Sequence, residues 1–182
     1  MEEKFDVLNE WGEFTGKIAT KSQCHKEGLW HRAVYAFIIN NEGDILLQRR
    51  SCNKKRWPDM WDVTVGGHVL TGEFGREALI REVREELRLE VSDDEIKYLV
   101  GSTSIDTSSA YINKHFNECY IITKNVDLSE IVLQTEEVSE VKFFSLNDIL
   151  NMVNDDYKCI TRKIGPWNFL IKILEHYCKK AI

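Results

Sequence analysis

Three carboxylates within five residues, Glu82, Glu85 and Glu86, are the side chains in this sequence best spaced for chemistry. At i, i+3 and i+4 a helix projects them from one face, while Leu79, Val83 and Leu87 form an apolar stripe on another. Three like charges on one arc repel, and a hard divalent cation with oxygen preference, Mg2+ first, is the natural compensation. The surrounding stretch 67–89, GHVLTGEFGREALIREVREELRL, adds Glu73 and Glu77 and opens on glycines that let backbone approach a ligand closely. Just upstream, residues 49–57 (RRSCNKKRW) hold five basic residues in nine. A solvated loop is the plain reading of such a run. Its position beside the acidic stretch favours another: Arg49, Arg50, Lys54 and Lys55 are candidate contacts for phosphate oxygens that a metal leaves unneutralised.

The elements that must position these groups are legible in outline. Residues 4–9 alternate apolar and polar before Gly12 and Gly16, which predicts an N-terminal hairpin. A polar stretch, KSQCHKEG, follows. Residues 31–40 (HRAVYAFIIN), then NEGD, then 45–49 (ILLQR) carry a strong hairpin signal. Residues 61–65 (WDVTV) predict one strand, and the acidic helix is expected to start between Phe74 and Arg76 and to end near Leu89. Strands are predicted over 97–104, 115–123 and 138–144, a helix over 146–153 capped by Ser145, and a last helix over 167–179 with Pro166 in its first turn. Glu118 stands in mid-strand, either as an outward-facing residue or as a functional carboxylate.

Composition narrows the function classes. At 182 residues and 43% hydrophobic content, one domain spanning 1–182 is expected. A formal charge of -6 argues against nonspecific binding of a nucleic-acid polymer. The five cysteines (Cys24, Cys52, Cys119, Cys159 and Cys178) are odd in number and form no C-x-x-C pair, so a disulfide framework is not expected and a reducing cytoplasm is. Neither a leader nor a bilayer-spanning apolar run is read in the sequence, so no membrane role is expected.

Gly67, Glu73, Arg81, Glu82, Val83, Glu85, Glu86 and Leu89 together resemble the Nudix box, G-x5-E-x7-R-E-U-x-E-E-x-G-U, over 67–89. Arg88 departs from it, standing where the family has glycine, so the turn after the helix needs another cap. The resemblance implies the Nudix fold, an α/β (α+β) mixed sheet sandwiched between helices, here with an N-terminal hairpin extension and C-terminal helices. It also implies Mg2+- or Mn2+-dependent hydrolysis of a nucleoside diphosphate derivative or similar small-molecule diphosphate. By position, Glu82, Glu85 and Glu86 would bind metal with the Gly66 carbonyl, Arg81 would orient the carboxylates, and Glu73 would support the loop. Family members differ in which carboxylate accepts the proton from water, which leaves both Glu82 and Glu118 as candidates.

Outside the box, His25, His31, the run LLQRRSCNKKRWPDMW, Gly67-His68, Asn117-Glu118 and Pro166-Trp167 resemble the branch containing isopentenyl-diphosphate isomerase. There, residues matching His25, His31, His68 and Glu118 hold a metal, a cysteine starts the protonation chemistry and a tryptophan shields a carbocation. Trp167 falls on that tryptophan, which makes it a candidate substrate contact as well as a candidate core residue. Two matched positions depart: Gly66 replaces the cysteine, and Phe116 falls where the isomerase has a second metal-binding glutamate. A glycine cannot protonate an alkene, so the expectation is a pyrophosphohydrolase. An isomerase-like enzyme and a non-catalytic diphosphate sensor are the alternatives, and a homodimer is left open.

Overall fold

The structure is a computed structural model that describes residues 2–108, 111–155, 159–161 and 167–178. Its hub is β3 (Trp30–Ile39), whose residues 33–39 are apolar without a break, as suits a strand covered on both faces. It pairs antiparallel with β1 (Lys4–Leu8), β4 (Ile45–Arg50) and β6 (Val65–His68), and parallel with β8 (Tyr111–Thr123). β2 (Phe14–Thr20) extends the sheet beyond β1, and β5 (Trp61–Asp62) and β9 (Val138–Phe144) pair with β4. β7 (Ile96–Ser108) pairs along the length of β8.

Alternation along β3 assigns the two layers. Ala33, Tyr35, Phe37 and Ile39 face a core shared with α3 (Leu146–Asn154) and α4 (Trp167–Cys178), including Ile149, Trp167, Leu170 and Leu174. Val34, Ala36 and Ile38 face the other core, built with Ala78, Leu79, Val83 and Leu87 of α2 (Gly75–Leu87). The mixed sheet therefore lies between helices, with the N-terminal hairpin at one end, as the resemblance implied.

Local chemistry explains where elements differ from the sequence reading. The polar stretch forms a helix, α1 (Lys21–Glu27): Thr20 and Gln23 make a reciprocal capping box, and Gly28 closes the last turn at φ 65°. The strand expected over 61–65 is two strands. Asp62 accepts from the Val63 amide (3.0 Å), Thr64 Oγ1 donates to the Leu46 carbonyl, and the Ile38 amide donates to Thr64 Oγ1 (2.9 Å). These side-chain bonds replace the ladder while the chain crosses from β4 to β3. β7 and β8 both run further toward their connecting turn than alternation indicated. α2 ends at Leu87 because Arg88 takes the left-handed cap position, φ 56°, and its amide donates to the Arg84 carbonyl at 3.1 Å. Ser145 caps α3 through its hydroxyl and the Asp148 amide, as expected. Pro166 lies outside the described residues.

Candidate active site

The box carboxylates are organised by one cation. Arg81 donates from Nε to Glu73 Oε1 (2.8 Å), from Nη1 to Glu82 Oε1 (2.7 Å) and Glu85 Oε2 (3.2 Å), and from Nη2 to the His68 carbonyl (2.9 Å). Glu73 also accepts from the Leu70 amide at 2.9 Å, which ties the loop before α2 to the helix. Burial acts to raise the Glu73 pKa, but the bonds from Arg81 and Leu70 outweigh it and hold the group below the usual carboxylate range. Glu86, buried, accepts from Gln48 Nε2 of β4 at 3.1 Å. Glu82 goes the other way: burial raises its pKa despite Arg81, and Glu85 raises it further. That mutual repulsion, with oxygens as the donors, fits a hard divalent cation at Glu82, Glu85 and Glu86.

Gly67 lies close beneath the Glu82 carboxyl. A Cβ built there would lie 2.0 Å from that carboxyl, so any side chain on β6 at this point must displace it. Gly66, its neighbour opposite Tyr35, lines the same space.

That space is a cavity of about 810 Å³ that joins three groups of residues. Glu82, Glu85 and Glu86 form one wall; Arg50, Lys54, Lys55 and Arg56 of the basic loop form another; His25, His68 and His115 line a third. Arg50 is buried, paired with Asp62 (3.2 Å) and bonded to the Trp57 and Arg56 carbonyls (both 3.2 Å), so it shapes the loop. Lys54 pairs with Glu137, whereas Lys55 has no ion pair among the described residues.

Three sequence-derived candidates lie elsewhere. Arg49 alternates outward on β4, bonds Asp59 (3.0 Å) and Glu140 (3.5 Å), and does not line the cavity. Trp167 is fully buried against Phe37, with ring centroids 5.7 Å apart, and its Nε1 donates to the Thr161 carbonyl at 2.6 Å; it is a core residue. Glu118 accepts from Tyr120 Oη (2.6 Å) and sits over Gly75 at the start of α2, in a separate shallow groove with Tyr98 and Gly101. It is not among the residues that line the cavity with Glu82.

The register of β8 explains the last displacement. His31 pairs with His115 and Val34 with Glu118, so His115 shares the face of His31 while Glu118 faces the α2 layer. Glu118, onto which the isomerase pattern falls, thus lies on the opposite face of β8 from the histidines. His115 joins His25 of α1, His31 of β3 and His68 of β6 in a cluster whose ligating nitrogens all lie within 4.8 Å of one another. Sequence reasoning missed it, although His115, Asn117, Cys119 and Ile121 form the buried half of an alternating strand.

Burial pushes three of the four rings toward the neutral form, and the cluster is oriented by its neighbours. Burial drives the His31 pKa down to about 4 and lowers those of His25 and His68. His31 Nδ1 lies 2.9 Å from the Leu29 carbonyl, and its Nε2 is 3.1 Å from His115 Nε2. Phe5 stacks on both His31 (4.9 Å) and His68 (4.7 Å). His25 Nε2 and His68 Nε2 are buried with no hydrogen-bond partner among the described residues.

The NUDIX domain model matches residues 29–163, three quarters of the chain. The chain belongs to the Nudix hydrolase family. It is 32% identical to Nudix hydrolase 3 of Arabidopsis thaliana over 98% of its own length, although it spans about a quarter (24%) of that protein. An uncharacterized Nudix hydrolase of Listeria innocua, lin0387, is 36% identical over 78% of this chain and 79% of its own. Isopentenyl-diphosphate Delta-isomerase of Escherichia coli is 28% identical over 90% of this chain and 83% of its own, so the Nudix branch resemblance is real. Among solved structures, DR0079 from Deinococcus radiodurans shares the Nudix fold with a TM-score of 0.71, 23% identity, and coverage of 96% of this chain and 98% of that one. No helix among the described residues is long and apolar enough to cross a membrane.

Proposed function

We propose that this Nudix chain hydrolyses the diphosphate bond of a small molecule, a nucleoside diphosphate derivative or a similar compound, using Mg2+ or in its place Mn2+. The observation that carries the reading is that Glu82 and Glu85, held by Arg81, line one cavity together with the basic residues Lys54 and Lys55. Glu82, Glu85 and Glu86, with the Gly66 backbone beside them, are the residues that would hold the cation. When bound, it would draw charge from the phosphoryl oxygens and acidify water. Lys55 and Lys54 would contact the remaining oxygens, and Arg50 would keep their loop in place. In the reaction a water oxygen forms a bond to phosphorus, the bridging P–O bond breaks, and a carboxylate takes the water proton. Of the two candidate carboxylates, Glu82 lines the cavity and its raised pKa suits a base, whereas Glu118, on β8, lines a separate groove. Arg81 acts as a positioning residue. Five free thiols support a reducing, cytoplasmic setting.

The test is formation of the two phosphomonoester products from a panel of nucleoside diphosphate derivatives and other diphosphates with Mg2+, for wild type and Glu86→Gln. Turnover lost in the variant supports the assignment; equal turnover in both overturns it. A second reading, isomerisation of a prenyl diphosphate, is favoured by the histidine cluster alone. Gly66 offers no thiol to the cavity. Dimethylallyl diphosphate formed from isopentenyl diphosphate would establish that reading, and its absence would remove it.

A further inference from the structure

Arg56 lines the cavity beside Lys54 and Lys55, yet it is held differently from either. We propose that Arg56 grips a free terminal phosphate, so that the site prefers substrates whose phosphate chain ends unesterified, such as nucleoside di- and triphosphates, over diphosphates esterified at both ends. This names the substrate class of the hydrolase reading and rests on that reading.

The guanidinium of Arg56 lies over the Tyr111 ring, with Cζ 5.0 Å from the centroid, and Tyr111 in turn packs on His25 at 4.6 Å. Nη2 donates to Asp106 of β7, while Nε and Nη1 have no hydrogen-bond partner among the described residues. A planar fork fixed on one face and at one corner, with donors to spare, suits paired bonds to phosphate oxygens. Lys54 and Lys55 are point charges on flexible stems and offer no such geometry.

The backbone sets where this fork stands. Trp57 and Asp59 lie in the left-handed region, at φ 50° and 61°, which is costly for a bulky aromatic above all. Arg50, paired with buried Asp62, donates to the Arg56 and Trp57 carbonyls and so braces that strained turn. The direction in which the Arg56 side chain leaves the loop is thereby fixed.

Asp106 supplies the selectivity. It does not line the cavity, and it already gives this guanidinium one negative charge. A phosphodiester group, also singly charged, gains little by competing for it. A phosphomonoester end carries about 1.5–2 negative charges at neutral pH and a third acceptor oxygen. Lys55, which has no ion pair among the described residues, adds to the field that such an end meets.

The test is calorimetric binding to the full chain with Mg2+. The probes are methylene-bridged nucleoside diphosphates with adenine, guanine, cytosine or uracil, each compared with the same compound methylated on its terminal phosphate. Wild type should hold the free-ended probe about tenfold or more tighter. Arg56→Gln should bring that ratio within about twofold, and Arg56→Lys, a second variant should the first fail to fold, should leave it below about threefold for want of the fork. Asp106→Asn should narrow the ratio from the other side, by tightening the methylated probe about threefold or more. Equal affinities in wild type, or a ratio unmoved in the folded Arg56 variants, overturn the proposal. A methylated probe bound no better by Asp106→Asn overturns the part given to Asp106. Turnover separates the two readings: a wild type that shows the binding preference but cleaves no diphosphate overturns hydrolysis alone, whereas a higher kcat/KM for esterified than for free-ended substrates overturns the preference and leaves hydrolysis standing.

Discussion

The two clusters flanking β6 are built in opposite ways. The carboxylates come from a single turn of α2, Glu82 to Glu86, so any helix over that stretch brings them together. The histidines come from four elements, and His25 and His115 meet only after the sheet has formed. The first cluster is a property of local spacing; the second is a property of register, where a shift of β8 by one residue puts a phenyl ring or an ammonium in place of the His115 imidazole. The same contrast separates their environments. Arg81 compensates the acidic side within the chain, whereas the imidazole side is stacked under Phe5, and His25 Nε2 and His68 Nε2 have no hydrogen-bond partner among the described residues.

Experiments on matched pairs would break this contrast or sharpen it. The largest effect is expected for Glu82→Gln, which should lower kcat by about 10²- to 10⁴-fold if Glu82 is the base, while Glu118→Gln should stay within about threefold of wild type. A reversal of that order, measured at saturating Mg2+, would return Glu118 to the site. Next comes Gly67→Ala. The new methyl must push the Glu82 carboxyl aside, and a displacement near 1 Å should cost about 10²-fold in turnover while far-ultraviolet circular dichroism stays unchanged. Unimpaired turnover there would show that β6 does not set the carboxylate geometry. On the basic wall, Lys55→Ala should raise KM by about three- to tenfold, the worth of one charge-assisted phosphate contact, and Arg49→Ala should leave KM alone because its partners Asp59 and Glu140 face away from the cavity. Equal KM changes in both variants would mean that the loop acts only through its net charge.

The contrast also explains what could be read from the residues and what could not. Glu82, Glu85, Glu86 and Arg81 needed only helical periodicity and motif spacing, and the sheet strands needed only alternation. Arg49 and Arg50 are adjacent and alike in sequence, yet strand alternation sends one outward and the other into a buried pair with Asp62. Trp167 carried a resemblance to a substrate-shielding residue, but the packing of α4 on Phe37 was invisible without the third dimension. α1 was legible and missed: Thr20 and Gln23 spell a capping box, and Gly28 a terminator. His115 required the phase of β8 relative to β3, which depends on a parallel pairing between residues 84 apart in the chain, and no local pattern fixes that.

The smallest effect tests the one box position where this chain departs from the family pattern. Arg88 occupies the left-handed region at φ 56°, where its Cβ crowds the backbone and a glycine would not. The amide bond to the Arg84 carbonyl that closes the helix needs no side chain, so it survives substitution. Against the relieved strain stands the greater freedom glycine gives the unfolded chain, which reduces the gain. Arg88→Gly should therefore stabilise the fold by about 0.5–1 kcal/mol, and raise Tm by about 1–4 °C for a chain of this length. Turnover should not change, since α2 already ends where the carboxylates need it to end. A destabilised variant would mean that the Arg88 side chain contributes a contact worth more than the strain of its backbone, and a change in kcat without a change in Tm would tie the helix end to the metal-binding face one turn away.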